Sequence, residues 1–265
     1  MAISRPLRLP NVTNVGSNQS FTIGLPVGNQ TYESVNLGLT DIAKNKIRNL
    51  EVRINGKPIQ RYKSVEDLEA ISKYYGYHIA ASEVEVPFFR EHFTSAAQAR
   101  TFNLGVNGVS TAEVVGEIDT LNGGSPAIKA YAPRYVFPTP EANQVGSFTK
   151  ISNFVKATAT TGRFEISDLP LDVSLQAIHM KSDKIAEVRL ELDNNTVWEL
   201  DKNKMKEYLL RKGRTPQDGW YHMDWMLTNE IGGQMALRGL QDFRLVLEME
   251  APDEIDIYLE YWTRL

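Results

Sequence analysis

No cysteine occurs among the 265 residues, which excludes disulfide bonds, thiolate nucleophiles, cysteine-ligated zinc and iron–sulfur clusters. The sequence also has no apolar run approaching the roughly 18 residues that a membrane-spanning helix needs, and its first residues contain no hydrophobic signal core. Neither sign of charge dominates, because 29 basic and 33 acidic side chains leave a formal net charge of −4. Proteins that contact many phosphates are usually basic, so we expect no sequence-specific nucleic-acid partner.

Catalytic motifs with fixed spacing are missing as well. There is no G-x-S-x-G nucleophile elbow, no P-loop, no dinucleotide fingerprint and no pair of histidines four residues apart. Apolar residues make up 42% of the chain and charged residues 23%, as in ordinary globular proteins. The sequence therefore predicts a folded protein that is not an enzyme, with no catalytic residues and no cofactor-binding residues.

Most of the apolar pattern has the two-residue period of β-strands. Leu50, Val52 and Ile54 alternate with polar residues up to Asn55-Gly56, a pair typical of a tight hairpin turn because both residues tolerate positive φ. Other strands are predicted over 20–25, 32–39, 101–106, 114–120, 163–167, 173–179, 188–192, 197–200, 243–250 and 255–263. Helical spacing occurs only over 64–76 and 201–212, so the predicted class is all-β.

The hairpin and its following helix occur twice. The apolar positions of the first copy recur without a gap in the second: Ile47, Leu50, Val52, Ile54 and Ile59 correspond to Ile185, Val188, Leu190, Leu192 and Val197. We further align 88–93 with 221–226, and 102–118 with 243–259. The shared order of strand, turn, strand, helix, glycine and strand indicates a tandem duplication.

About eight strands per copy favours a jelly roll over a seven-stranded immunoglobulin sandwich, whose Cys…Trp…Cys marker is absent. We therefore predict two tandem eight-stranded jelly rolls, each with a short inserted helix. The predicted boundaries are an N-terminal arm over 1–15, a first jelly roll over 16–125, a linker over 126–147 that contains glycine and proline, and a second jelly roll over 148–265.

The histidines, His78, His92, His179 and His222, are the first candidates for a site. His92 and His222 fall at similar places in the two copies, which suits either a shared metal or ordinary structural histidines. His179 ends a predicted strand, and we expect it to cap that strand's exposed end. The metal ligands are therefore unknown at this point.

Acidic residues cluster on two predicted strands. Glu113, Glu117 and Asp119 lie in the first copy, and Glu254 and Asp256 lie in the second. Such residues suit a solvated strand face, a structural calcium site that also uses backbone carbonyls, or paired carboxylates that cleave a glycosidic bond.

Aromatic residues near the C-terminus could stack on sugars if they were exposed together; they are Trp220, Tyr221, Trp225 and Trp262. Strand alternation instead places Tyr221, Met223 and Trp225 on one face, which favours the core. Arg5 and Arg8 could contact an acidic surface, but two charges worth about 1 kcal/mol each make only a weak lipid anchor.

The duplicated module, its helix after the fifth strand, and the segments 19–25 and 31–35 resemble the double jelly-roll major capsid proteins of tailless bacteriophages with an internal membrane, of the corticovirus type. The resemblance implies a homotrimer whose six jelly rolls form a pseudo-hexagonal capsomer. Such capsomers tile an icosahedral shell over the membrane and contact minor capsid, vertex and membrane proteins. It also implies localisation to the virion after assembly in the host cytoplasm. Some members bind calcium.

Two other functions fit a double β-module. One is a carbohydrate-binding or glycan-cleaving double jelly roll, which needs exposed acids and tryptophans in a groove. The other is a phage spike or tail-associated module, which would be trimeric without forming a shell.

Overall fold

The computed structural model describes residues 4–28, 30–88, 90–94, 109–136, 147–170 and 174–264. The chain divides into two compact units. The first comprises 1–73, 77–152 and 263–265, and the second comprises 74–76 and 153–262. Among the described residues, no helix is long and apolar enough to span a membrane.

The elements of the first half follow in chain order: β1 (Ser4–Arg8), β2 (Gln19–Gly24), β3 (Gln30–Tyr32), β4 (Ser34–Thr40), a 3-10 turn (Lys44–Lys46), β5 (Ile47–Ile54), β6 (Lys57–Ser64), α1 (Val65–Tyr74), β7 (Glu83–Pro87), β8 (Ala112–Ile118) and β9 (Ala127–Val136). Those of the second half are β10 (Ser147–Thr158), β11 (Gly162–Ile166), β12 (Ser174–Lys181), β13 (Ile185–Leu192), β14 (Asn195–Asp201), α2 (Lys202–Arg211), β15 (Trp220–Asp224), a 3-10 turn (Ile231–Gly233), β16 (Met235–Ala236), β17 (Phe243–Met249) and β18 (Asp253–Arg264).

Both halves have the strand order of a jelly roll. In the first, one sheet runs β1-β9-β4-β7, with β3 also on β9, and four strands of the other run β2-β8-β5-β6. In the second, the matching orders are β10-β18-β12-β15, with β16 on β12, and β11-β17-β13-β14. If β3 and β16 are left out, each half has eight strands, which we number 1 to 8 in chain order. In both halves the two sheets then have the strand orders 1-8-3-6 and 2-7-4-5. The predicted pair of jelly rolls is confirmed.

Strand alternation builds the core, with one local adjustment that both copies share. Ile47 and Leu50 are fully buried although they are three residues apart. Asn49 adopts a positive φ of 48°, and the ladder with β8 shifts register between Arg48 and Glu51. The extra residue of this β-bulge shifts the alternation by one, so that the side chains of Leu50 and the following alternate residues face the core. The second copy repeats this spacing at Ile185 and Val188, again with a register shift.

The two helices begin as their sequences predict. The Ser64 hydroxyl accepts a hydrogen bond from the backbone N–H of Asp67 at 3.2 Å. The Asp201 carboxylate accepts from the N–H groups of Asn203 and Lys204. These bonds satisfy N–H groups that have no partner within the first helical turn.

The hairpin turns of the two copies are built alike. Asn55 and Asp193 both adopt positive φ, at 50° and 47°. Oδ1 of Asn55 accepts from the N–H groups of Ser110 and Thr111. Oδ1 of Asp193 accepts from two consecutive N–H groups, those of residues 241 and 242. The duplication therefore extends to individual hydrogen bonds.

Replacement of Asn55 by leucine is expected to lower the unfolding free energy by about 1–3 kcal/mol, since leucine strains the left-handed backbone and leaves the two N–H groups without their acceptor. Asn55→Asp keeps both the acceptor and the tolerated conformation, as Asp193 does, and we expect it to cost less than a third as much. Thermal unfolding of the two variants measures the difference. Equal losses would show that the acceptor oxygen is unimportant.

Two parts of the predicted repeat alignment are wrong. β7 pairs with β4 as β15 pairs with β12, so β7 corresponds to β15 and 88–93 does not match 221–226. β8 flanks β5 as β17 flanks β13, so 112–118 corresponds to 243–249 and not to 253–259. Every half-buried strand has the same two-residue period, so that the alignment slipped by a few residues at 88–93 and by one whole strand at 102–118. The predicted strand 101–106 lies outside the described residues.

The predicted N-terminal arm and the predicted linker both include residues that belong to strands of the first jelly roll. Ser4–Arg8 is a strand of the first sheet and pairs with β9. Ala127–Val136, predicted as linker, is the last strand of the first jelly roll. The linker was predicted partly from Pro133, but this proline is tolerated within β9. It lies opposite Pro6 and beside the break between β3 and β4, where the strand ladder needs no N–H group from it.

Candidate functional site

The acidic residues singled out in the first copy lie beside basic or amide partners on the neighbouring strand. Glu117 accepts a hydrogen bond from the side-chain amide of Asn49 at 2.7 Å, and Asp119 forms an ion pair with Arg48. In the second copy, Asp256 is buried opposite Lys181, and Glu254 is exposed; Glu113 is opposite Arg53. Within the described ranges, no three His, Asp or Glu side chains are grouped so as to hold a metal ion.

The histidines are arranged differently from the sequence prediction. His92 is half-buried beside the Tyr77 hydroxyl, 3.1 Å from Nδ1, and His78 is exposed. His179 does not cap an exposed strand end, because β12 continues to Lys181 between two neighbouring strands and the side chain is fully buried. His222 pairs with His179 and not with a counterpart of His92.

The aromatic residues mostly belong to the core, as alternation indicated. Tyr221 and Met223 are fully buried, and Trp225 is half-buried. The other face of β15 is buried too, with Trp220 only 4% exposed. The Tyr221 hydroxyl donates to the Leu200 carbonyl and is therefore not available to a sugar. Trp262 is half-buried on β18.

A buried polar centre, which was not predicted from the sequence, occupies the interior of the second unit. Arg214 and Asp224 form a salt bridge of 2.7 Å and are 3% and 0% exposed. The Tyr74 hydroxyl donates to the same carboxylate oxygen at 3.0 Å, and Asp224 raises the pKa of this already buried tyrosine further above its ordinary value. Arg214 also donates to the Met226 carbonyl at 2.9 Å.

The same interior contains the His179–His222 pair and the carboxylate of Glu260, which is 1% exposed. Oε2 of Glu260 accepts a hydrogen bond from the Tyr75 hydroxyl at 2.9 Å. The sequence carries one signal for this centre: a single acid, Glu260, interrupts the otherwise apolar run 257–262. None of these groups borders an open cleft of paired carboxylates, and their chemistry is that of a hydrogen-bonded structural core.

Comparison with known proteins agrees with this architecture. Residues 6–137 match the viral coat protein P2 N-terminal domain, and residues 148–265 match the viral coat protein P2 C-terminal domain. The chain is 30% identical to the major capsid protein P2 of Pseudoalteromonas phage PM2, over 97% of both chains.

The chain belongs to the viral coat protein P2 family.

Solved structures extend the comparison. The chain superposes on the crystal structure of the major capsid protein P2 from bacteriophage PM2 with a TM-score of 0.89 at 28% identity. The match covers 99% of this chain and 98% of the PM2 chain. The STIV major capsid protein (99% and 97%, TM-score 0.73, 10% identity) and the PBCV-1 virus capsid (99% and 94%, TM-score 0.70, 9% identity) show the fold alone. This P2-family chain is a major capsid protein of the virion with a double jelly roll. The glycan-cleaving alternative is unsupported, and the relatives are structural coat proteins.

Proposed function

We propose that this P2-family coat protein forms homotrimers, and that three chains with two jelly rolls each supply the six modules of a pseudo-hexagonal capsomer. The capsomers tile an icosahedral shell over an internal membrane. The observation that carries the proposal is a sheet edge that is covered in the first jelly roll and open in the second.

The covered edge is that of β6. Within the first unit, Ile151 at the start of β10 pairs in parallel with Gln60, and the Gln60 amide donates to the Thr149 carbonyl. Gln60 is 2% exposed and its neighbour Ile59 is 5% exposed.

The open edge is that of β14, the strand equivalent to β6. Among the residues that the structure describes, β14 is the end strand of its sheet, with β13 as its neighbour. Val197, the counterpart of Ile59, is 45% exposed, and Leu210 on α2 is 58% exposed. An open strand edge with apolar side chains favours pairing with another chain.

A second copy of this chain offers a matching strand. β1 has the place in the first jelly roll that β10 has in the second, and it lies at the edge of its own sheet beside β9. We therefore propose that β1 of one copy covers β14 of the next, as β10 covers β6. Repeated contacts of this kind join chains in a ring, and closure after three copies gives six jelly rolls.

Lysine at Val197 and Leu210 is expected to block this contact, because it places one charge on the open strand and another on the exposed surface of the helix that follows it. Sedimentation velocity should show a trimer for the natural chain and a monomer for Val197→Lys/Leu210→Lys, with unchanged circular dichroism. The control Val27→Lys changes a valine of similar exposure, 38%, outside the proposed contact and should remain trimeric. A natural chain that is monomeric at high concentration contradicts the trimer. Equal behaviour of the edge and control variants contradicts the assigned edge.

The remaining partners stay predictions. Arg5 and Arg8 are exposed on β1, and we propose that they make the weak lipid contact that their charge suggests. We also propose contacts with minor capsid, vertex and membrane proteins.

A structural calcium ion held by carboxylates is a further proposal. Comparison of thermal unfolding with and without a calcium chelator tests for this ion.

A further inference from the structure

Two buried histidines face each other on neighbouring strands of the second unit. His179 on β12 and His222 on β15 are directly paired in the antiparallel ladder, and both are inaccessible to solvent. Their Nδ1 atoms are 2.8 Å apart. At this distance one nitrogen must carry a proton and the other must accept it. The contact is therefore favourable only while one of the two nitrogens is unprotonated.

The surrounding groups determine where each proton lies. The backbone N–H of Gln217 donates to Nε2 of His222 at 3.3 Å, so neutral His222 carries its proton on Nδ1. That proton is donated to Nδ1 of His179, whose own proton then lies on Nε2, 3.5 Å from Oε1 of Glu260. The other oxygen of Glu260 accepts from the Tyr75 hydroxyl. Each nitrogen of the two rings thus has an assigned role.

Charged and titratable groups approach the pair from several elements. They are Tyr74 and Tyr75 at the end of α1, Lys206 on α2, Arg214 and Asp224 around β15, Lys181 on β12, and Tyr258 and Glu260 on β18. The Tyr74 ring stacks on His222 with centroids 4.3 Å apart, and the Trp220 ring lies parallel to it at 5.9 Å. Burial, the neighbouring His179 and the charge of Lys206 hold the pKa of His222 well below its ordinary value.

We propose that the His179–His222 pair is an acid-sensitive lock on the second unit, closed while both rings are neutral and released when the pair takes up protons. The first proton breaks the hydrogen bond from Gln217, whichever ring binds it. If His222 is protonated, both of its nitrogens carry hydrogens. If His179 is protonated, it donates to Nδ1 of His222, whose own hydrogen then lies on Nε2 and faces the Gln217 N–H. The second proton sets two N–H groups against each other between the rings. The segment between α2 and β15, which contains Gln217, is the first to loosen.

The direction of the pH effect follows from the number of protons bound. A histidine in the unfolded chain titrates near pH 6.5, whereas His222 stays neutral in the folded unit well below that pH. The unfolded chain therefore binds more protons below about pH 6.5, and stability falls as the pH falls. One such histidine raises the unfolding equilibrium constant by about tenfold between pH 7.5 and 5.5.

Urea unfolding of the full chain between pH 7.5 and 5.5 tests the lock, because carboxylates change their charge little in this range. The natural chain should show about a tenfold rise in the unfolding constant from pH 7.5 to 5.5. The variant His179→Asn/His222→Gln, whose amides do not titrate, should lose this rise. The control His78→Gln/His92→Gln removes the other two histidines and should keep it. A rise that persists in the first variant, or disappears in the control, overturns the proposal.

Hydrogen exchange of the natural chain provides a second measurement, which needs no variant to fold. Amides of 214–224 should lose at least tenfold protection between pH 7.5 and 5.5 after correction for intrinsic exchange. Amides of 48–60 in the first unit should keep theirs. Unchanged protection of 214–224 at both pH values overturns the proposal.

Discussion

Replacement of Asp224 by asparagine is expected to cost the second unit about 3–5 kcal/mol of unfolding free energy, because the Arg214 guanidinium then remains charged and unpaired in the interior. The two side chains are 0% and 3% exposed and 2.7 Å apart. The same carboxylate accepts hydrogen bonds from the Tyr74 hydroxyl and the Met226 N–H, and asparagine can supply only one acceptor oxygen for all of them. Since a whole domain is stable by only about 5–15 kcal/mol, the expected result in urea is a second unit that unfolds well before the first.

Arg214 has no easy way to relieve this loss. Burial alone lowers its pKa, but the charge of Asp224 and its hydrogen bond outweigh burial and hold the pKa above the ordinary value. The double variant Arg214→Met/Asp224→Leu removes both charges, and we expect it to recover more than half of the loss.

The matched control is Asp218→Asn. Asp218 pairs with Lys206 at the same 2.7 Å, but its side chain is fully exposed. We expect no change in the urea midpoint beyond experimental error, because solvent screens such pairs. Equal midpoints for Asp224→Asn and Asp218→Asn would show that burial of the Arg214–Asp224 pair carries no stability.

Gly116→Val is expected to destabilise the first unit by about 3 kcal/mol, through overpacking of its core. Gly116 on β8 is paired directly with Phe21 on β2, and the phenyl ring lies across the glycine. A Cβ at this position would lie 2.6 Å from Cζ of Phe21 and 3.2 Å from Cδ1 of Leu50. Both side chains are fully buried, and protein cores are packed closely enough that such side chains can move only by displacing their neighbours. Differential scanning calorimetry measures the expected fall in melting temperature.

Gly24→Ala is the matched control on the same strand pair, because a Cβ at Gly24 meets nothing within 4 Å. We expect it to be neutral or slightly stabilising, since alanine loses less backbone entropy than glycine on folding. The variant Phe21→Leu/Gly116→Ala makes room for the added methyl group. It should lose less than the sum of its single changes, and strictly additive losses would contradict the packing explanation.

The predicted architecture was largely correct because its signals are local. Alternation located Leu50, Val52 and Ile54 in the core, and Asn55-Gly56 located a turn. The recurrence of that hairpin with its helix revealed the duplication. Errors arose where a pattern could not distinguish one strand from another. The slipped alignment of 102–118 has this cause, whereas β9 was assigned to a linker because it contains a proline.

The polar centre of the second unit was less predictable than the fold. His222 was noticed in the sequence as the counterpart of His92, either at a shared metal or as an ordinary structural histidine, and His179 was expected at an exposed strand end. Arg214 and Asp224 are ten residues apart in the chain, and nothing in that spacing marks a buried salt bridge. Such pairs depend on which strands become neighbours, which side-chain spacing does not encode.

The amino-acid order alone therefore determined an all-β, duplicated chain, since strand period, turn and cap preferences act among residues a few positions apart. The pairing of β12 with both β15 and β18 came only from packing in three dimensions. That pairing turned two ordinary histidines, an arginine and two acids into one buried network. The network contributes to stability because polar groups that are distant in sequence are buried together and hydrogen-bond to one another. Such contacts exist only once the sheets have formed.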